Sequence, residues 1–343
     1  MKIIVTGSNG CVGSALKNII FKPTKLHTYK ILDGSGPKQK VKASLPYQVI
    51  GRKIQKNDHW QFLTRKDCDL SNRESVIDYF ENFEITGKSI PVSIGADCIV
   101  HLAGMVPGFY NINKPSSFTT NVRINENVLE ASRLTDIKQG IFCLSVNMFG
   151  ENLTSFPLNE SMIMEGSLSG PFAGYAYSKR MLHLQCQNYN EQYGTKYYGL
   201  IPVNIYGPND NFQSGRLIPN LILKFQEAIK NNTDVVINGT GKPLRQFIYA
   251  PDLAKIIKNL VESYQDTKPI ICSSDEEVSI ADLAQTIAEI MDFKNKIIFD
   301  DSKPDGVLRK TVDNSYLKSL MPEMSFTLLK NGLTEFIKQM ELI

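Results

Sequence analysis

Thr6-Gly7-Ser8-Asn9-Gly10-Cys11-Val12-Gly13, near the start of a chain of 343 residues, is the stretch that decides the fold. Three glycines spaced GxxGxxG follow the apolar run Lys2–Thr6 and precede Val12, Ala15, Leu16, Ile19 and Ile20, which recur at helical spacing. A buried strand, a tight turn and an amphipathic helix form the context in which such glycines cradle a dinucleotide pyrophosphate. Gly7 permits the turn, Gly10 lets the backbone approach phosphate, and Gly13 lets the helix pack on the sheet. Asn9, Cys11 and Val12 complete the cradle at a helix N-terminus, where free N–H groups and the helix dipole favour an anion.

The same rhythm continues along the chain. Segments 97–102 (DCIVHL), 139–145 (QGIFCLS) and 198–203 (YGLIPV) read as buried strands, with helical stretches at 75–83 and 121–134 between them. Strands alternating with helices predict an α/β fold with a parallel, doubly wound Rossmann sheet. Residues 21–59, rich in Lys, Gly and Pro, fit this rhythm poorly and read as a surface insertion. Beyond 208 the pattern gives helices at 217–229, 252–264 and 280–291 and a strand at 234–237, expected to form a smaller C-terminal α/β substrate lobe. The expected organisation is a dinucleotide-binding domain over 1–207 and a mainly substrate-binding lobe over 208–343, with an interleaved boundary.

Composition narrows the function classes. At 42% hydrophobic and 21% charged residues the chain is ordinary globular protein. Lys and Arg total 38 against 35 Asp and Glu, a net charge of +3, which gives no reason to propose nucleic acid or a membrane surface as a partner. The six cysteines (Cys11, Cys68, Cys98, Cys143, Cys186, Cys272) contain no CxxC pair, which argues for reduced thiols and against a metal site or disulfide framework. With no signal-like N-terminus and no apolar run of about 18 residues, a cytoplasmic location is the expectation.

Two readings of cofactor choice compete. Asp33 stands about 20 positions beyond Gly13, where an acidic residue favours NAD, but it falls within the suspected insertion. The alternative second strand, 60–66 (WQFLTRK), ends in Arg65 and Lys66, which suit a 2′-phosphate and hence NADPH.

Tyr175-Ala176-Tyr177-Ser178-Lys179 places Tyr175 and Lys179 on one helix face. A phenol of pKa near 10 exchanges protons poorly at neutral pH unless a cation stabilises its phenolate. Lys179, one turn on, is placed to do so and to hold a cofactor ribose. Ser145, at the end of the third strand, lies where doubly wound sheets present ligands, and its hydroxyl can polarise a carbonyl oxygen shared with Tyr175.

These residues make the chain resemble the extended short-chain dehydrogenase/reductases, and within them the GDP-L-fucose synthase family of GDP-4-keto-6-deoxymannose epimerase/reductases. The resemblance runs from residue 1 to about 317 outside the insertion. It rests on TGSNGCVG at 6–13, DCDL at 67–70, HLAGMV at 101–106, YAYSKRM at 175–181, PVNIYGPNDNF at 202–212, GTGKPLRQFIY at 239–249 and KPDGVLRK at 303–310. It implies that Asp69 and Leu70 face the adenine and that Leu102, Ala103, Gly104 and Met105 line the cofactor channel. It also implies that Ser145, Tyr175 and Lys179 are catalytic, and that Arg245 and Lys303 meet a GDP-linked 4-keto-6-deoxy sugar. The family's use of NADPH supports Arg65 over Asp33. By the same similarity the helices at 121–134 and 177–192 are expected to form a four-helix contact in a homodimer.

The family pattern is broken where epimerisation is expected. Inverting C3 and C5 needs groups that exchange protons near neutrality. The resemblance implies a Cys two residues after the catalytic Ser and a His in the YGPHDNF segment; here these places hold Asn147 and Asn209. An amide has no usable pKa for acid–base work. Cys143 is either a displaced acid or a buried core thiol. The expected activity is therefore C4-keto reduction without epimerisation, with Asn147, Asn204 and Asn209 positioning sugar hydroxyls. The alternatives are a complete synthase using other groups and a catalytically silent dinucleotide-binding sensor.

Overall fold

The computed structural model describes residues 1–21, 59–82, 95–106 and 115–340. In chain order it begins β1 (Lys2–Thr6), α1 (Cys11–Ile20), β2 (His59–Phe62), α2 (Arg73–Glu81), β3 (Cys98–His101), α3 (Pro115–Leu134), β4 (Gln139–Cys143), α4 (Ala173–Tyr193) and β5 (Lys196–Pro202). It continues with β6 (Asn204–Tyr206), α5 (Leu217–Asn231), β7 (Val235–Asn238), β8 (Leu244–Tyr249), α6 (Ala250–Ser263), β9 (Ile270–Cys272), β10 (Glu277–Ser279), α7 (Ile280–Ile290), β11 (Ile297–Asp300), α8 (Ser315–Leu320) and α9 (Leu329–Met340). The suspected insertion, including Asp33, lies almost entirely outside the described residues.

Six parallel strands form the main sheet in the order β2-β1-β3-β4-β5-β9. The doubly wound arrangement expected from the alternating pattern is thus observed. Strand order reverses between β1 and β3, which opens a crevice at their carboxyl ends. The strands can be apolar on both faces because helices cover both: Ile3, Ile4, Val5, Ile99, Val100 and Ile141 are all fully buried. A three-stranded sheet β10-β8-β6 and a parallel pair β11-β7 lie beside it.

The helices start and stop for local reasons. The Asn72 side chain accepts from the Ser75 N–H at the start of α2, and the Ser279 side chain does the same for Asp282 at the start of α7. Gly194, at φ 65°, ends α4.

Two apolar cores result. One surrounds the six-stranded sheet; the second joins α5, α7 and α9 to β7 and β8. Helix α6, read from sequence as part of the lobe, belongs to the first core: Leu253, Ala254, Ile257 and Val261 are buried there and the helix packs against α1. Strand β9 likewise returns to pair with β5, so the chain leaves the first core near residue 204 and re-enters it before 272. Ser145 is also not within a strand: β4 stops at Cys143, and Ser145 caps a short 3-10 turn over Val146–Met148. Among the described residues, no helix is long and apolar enough to cross a membrane, and no cluster of metal-ligating side chains occurs.

Candidate active site

The glycine cradle closes the crevice at the switch point. Gly7 adopts φ 72°, and a side chain there would stand 2.6 Å from the backbone nitrogen of Ala103. A side chain on Gly13 would stand 2.5 Å from the carbonyl oxygen of Gly7, so α1 rests directly on the turn. At Gly10 an added Cβ would meet nothing nearer than 3.4 Å. Gly10 is the N-cap of α1 and no side chain caps that helix, so its first N–H groups are left for an anion. Ser8, fully buried, donates to the carbonyl oxygen of Leu63 at 2.5 Å and ties the cradle to the end of β2. These residues fit a dinucleotide pyrophosphate.

The adenosine side of the crevice follows β2. Arg65 and Lys66 are exposed on a turn held by Asp67, which accepts from the Thr64 N–H and hydroxyl at 2.7 Å each. Asp69 accepts from the Ser71 N–H and hydroxyl, and these bonds, with Arg65 beyond, keep its carboxyl below the usual range. Leu70 is half-buried, and its carbonyl oxygen accepts from Asn127 at 2.9 Å. Asn9 is exposed and accepts from Lys17 at 3.3 Å, a cation that sequence reading passed over. Cys11 is the first residue of α1, and burial pushes its thiol up to about 12 although Arg216 opposes the shift.

Across the crevice, the segment 102–105 is held from below. The Leu102 N–H donates to Thr6 O at 3.3 Å, and the Ala103 N–H to the Thr6 hydroxyl at 3.3 Å. The fully buried Asn121 accepts from the Met105 N–H at 2.8 Å and donates back to Met105 O at 2.9 Å, while its Oδ1 packs against Gly104. His101, beneath them, bonds Thr6 Oγ1 through Nδ1 at 2.8 Å and Asn125 Oδ1 through Nε2 at 3.1 Å. Burial and the nearby Lys179 depress this imidazole to about 3, so it is neutral and structural.

Ser145, Tyr175 and Lys179 converge at the carboxyl end of β4. Tyr175 and Lys179, on α4, are 5% and 3% exposed. Lys179 Nζ lies 5.7 Å from the centre of the Tyr175 ring and donates to Cys143 O at 2.6 Å. Burial pushes the Tyr175 phenol up, the Cys143 thiol adds to this, and a hydrogen bond with Ser145 and the charge of Arg216 pull it partly back. Burial lowers Lys179. The Ser145 hydroxyl also accepts from the Asn147 N–H at 3.2 Å, which sets Asn147 one turn along the rim.

The remaining expected residues lie on or beside β6 and β8. Asn204 donates to Gln246 O at 3.0 Å, and Asn209 occupies the left-handed region at φ 61° on an exposed turn. Arg245, on β8, is half-buried and donates to Leu244 O at 2.7 Å; burial lowers it and Asp305 opposes. Lys303 is exposed, with its N–H on Asp300 O at 3.2 Å. A second cation nearby is Lys310, half-buried, which burial and the charge of Arg245 lower while Glu151 opposes. Sequence reading missed Lys310 and Arg216, since nothing in a sequence marks which surface-type cations the fold turns inward.

A sheet of this order, a glycine cradle at its switch point and a buried Tyr–Lys pair beside it define a Rossmann-fold oxidoreductase of the short-chain dehydrogenase/reductase type. The chain belongs to the NAD dependent epimerase/dehydratase family, whose model matches residues 3–272. It is 42% identical over 301 residues to the GDP-L-fucose synthase of Dictyostelium discoideum, covering 84% of this chain and 90% of that one. A crystal structure of a GDP-L-fucose synthetase from Naegleria fowleri bound to NADP matches with a TM-score of 0.80 at 29% identity, over 99% of this chain and 94% of the other. The fold is shared with a GDP-mannoheptose C4 reductase from Campylobacter jejuni with NADP bound, at a TM-score of 0.77 and 24% identity over 99% of this chain and 98% of that one.

Proposed function

We propose that the protein is an NADPH-dependent C4-keto reductase of a GDP-linked 4-keto-6-deoxy sugar, hexose or heptose, without C3/C5 epimerase activity. One observation carries this reading: Ser145, Tyr175 and Lys179 are assembled for reduction, while Asn147, beside them, and Asn209 offer amides that neither gain nor lose a proton near neutrality. The broader assignment, a GDP-sugar epimerase/reductase, draws its support from the fucose synthase relatives.

The residues divide the work as follows. Gly7, Asn9, Gly10, Cys11, Val12 and Gly13 hold the cofactor's pyrophosphate, Arg65 its 2′-phosphate, Asp69 and Leu70 its adenine, and 102–105 its channel. When bound, NADPH supplies the hydride that adds to C4. Ser145 Oγ donates to the C4 carbonyl oxygen, and Tyr175 gives that oxygen its proton, so hydride and proton together convert ketone to alcohol. Lys179 stabilises the phenolate left behind. Arg245 and Lys303, with Lys310, meet the substrate's diphosphate, and Asn147, Asn204 and Asn209 orient sugar hydroxyls. Tyr177, Met181 and Leu184 leave an apolar stripe exposed on α4, which suits a second copy of the chain in a homodimer.

A complete fucose synthase is the second reading, favoured by the 42% identity to a protein of that name. Incubation with a GDP-4-keto-6-deoxy sugar and NADPH in D2O separates the two. Reduction without deuterium at C3 or C5 is the expected result; label at either carbon overturns the reductase-only reading, and no NADPH oxidation overturns both.

A further inference from the structure

Arg180 follows Lys179 directly on α4 and is buried. A buried guanidinium must find acceptors for its donors. Nε donates to Met148 O at 2.7 Å, Nη1 to Gly166 O at 3.0 Å and Nη2 to Glu165 O at 2.5 Å. All three acceptors are backbone carbonyl oxygens, and all three lie on the loop that leaves Ser145 and returns to the start of α4. The two legs of that loop touch where Arg180 holds them. A side chain on Gly150 would stand 2.6 Å from Gly166 Cα, and the Glu151 N–H donates to Ser167 O at 3.0 Å.

From the first leg the hold passes to the site through two hydrogen bonds. Met148 closes the 3-10 turn that Ser145 opens: its N–H donates to Ser145 O at 3.0 Å, and the Asn147 N–H donates to Ser145 Oγ at 3.2 Å. On the other side of Ser145, Lys179 holds Cys143 O at 2.6 Å. Consecutive residues of α4 thus grip the chain before and after Ser145, from the helix that carries Tyr175. A lysine at position 180 would keep the charge but not the planar fork that reaches three separate carbonyls.

We infer that Arg180 is a positioning residue: by clamping both legs of the 148–166 loop it fixes Ser145 against Tyr175. Its effect on turnover rests on the reading of Ser145 as donor to the C4 carbonyl oxygen, whereas the clamp itself does not.

Two measurements on the full chain test it. Amide hydrogen exchange, followed by NMR, reads the clamp without cofactor or substrate. In Arg180→Lys the amides of Asn147, Met148 and Phe149, which close the 3-10 turn, are expected to exchange at least about tenfold faster than in the wild type, while those in the second half of α4 keep their rates. Unchanged rates at the three amides overturn the inference, and so does an equal rise along α4, which would mean a general loss of stability. Arg180→Gln serves the same comparison if the lysine variant does not fold.

Steady-state kinetics with NADPH and a GDP-4-keto-6-deoxy sugar read the consequence. In Arg180→Lys kcat falls by about tenfold to a hundredfold, with the KM for NADPH within about threefold of wild type. In a Ser145→Ala background the same substitution lowers kcat by less than about threefold, because the group it positions is gone. An equal loss in both backgrounds overturns the inference, since Arg180 would then act through something other than Ser145. No NADPH oxidation by the wild type, together with faster exchange in the variant, sinks the reductase reading and leaves the clamp standing; oxidation with unmoved exchange does the reverse.

Discussion

The ammonium of Lys179 donates to the carbonyl oxygen of Cys143 at 2.6 Å, a bond from the middle of α4 to the last residue of β4. It joins the helix that carries Tyr175 to the strand whose continuation carries Ser145. The bond also holds the ammonium 5.7 Å from the centre of the Tyr175 ring.

Tyr175→Phe therefore removes one oxygen from an otherwise intact site. The aromatic ring stays buried on α4, so NADPH binding, followed by fluorescence, is expected to change by less than about threefold, while turnover falls by about 10²–10⁴. Turnover within threefold of wild type would falsify its role as proton donor.

Arg65 is exposed and bonded to little, so its replacement leaves the fold alone. Arg65→Ala is expected to weaken NADPH binding by about tenfold, the worth of roughly 1.4 kcal/mol, and to leave NADH binding unchanged. Titrating both cofactors into the variant checks this; a parallel loss for both would place the 2′-phosphate elsewhere.

Gly7 and Gly10 predict opposite failures. At Gly7 a methyl group meets the Ala103 backbone in a left-handed conformation, so Gly7→Ala lowers the melting temperature by several degrees as well as abolishing cofactor binding. At Gly10 the methyl group meets only the Gly7 carbonyl oxygen, at an ordinary contact distance of 3.4 Å, so Gly10→Ala keeps the wild-type melting temperature and loses affinity for NADPH alone. Thermal melts with and without NADPH distinguish the two; equal melting temperatures for both variants would contradict the packing described at Gly7.

His101 makes stability depend on acid. Its imidazole titrates near 3 when folded and near 6.5 when unfolded. Below 6.5 the unfolded chain binds a proton that the folded one refuses, so the neutral imidazole's contribution, complete above 6.5, is lost progressively as pH falls towards 3. Between pH 7.5 and 5.5 the loss is about 1 kcal/mol. Urea unfolding at these two pH values shows it as a slope that His101→Gln lacks; an identical slope in the variant would mean that the imidazole is charged in place.

The parts legible in the sequence were the local ones. The cradle is eight consecutive residues, and Tyr175 and Lys179 are one helical turn apart, so spacing alone brings them together. Strands β1, β3, β4 and β5 announce themselves because a strand covered on both faces must be apolar throughout. Strands β6, β9 and β10 are three residues each, too short for any periodicity, and their pairing is set by distant partners. Arg216 and Lys310 are ordinary cations until tertiary packing half-buries them. The same applies to Asn121, a polar residue inside a helical pattern, whose work on Met105 depends on a loop 16 positions away.

Strand β9 has a consequence for biosynthesis. The outer edge of β5 receives its partner only when Ile270, Ile271 and Cys272 arrive, and α1 is covered only once α6 has formed. On the ribosome, the cradle at residue 7 emerges long before β9, and β5 lacks that partner until residues 270–272 have been translated. A nascent chain halted after residue 207 presents a bare strand and an uncovered helix to its neighbours, and is expected to need a chaperone's shelter.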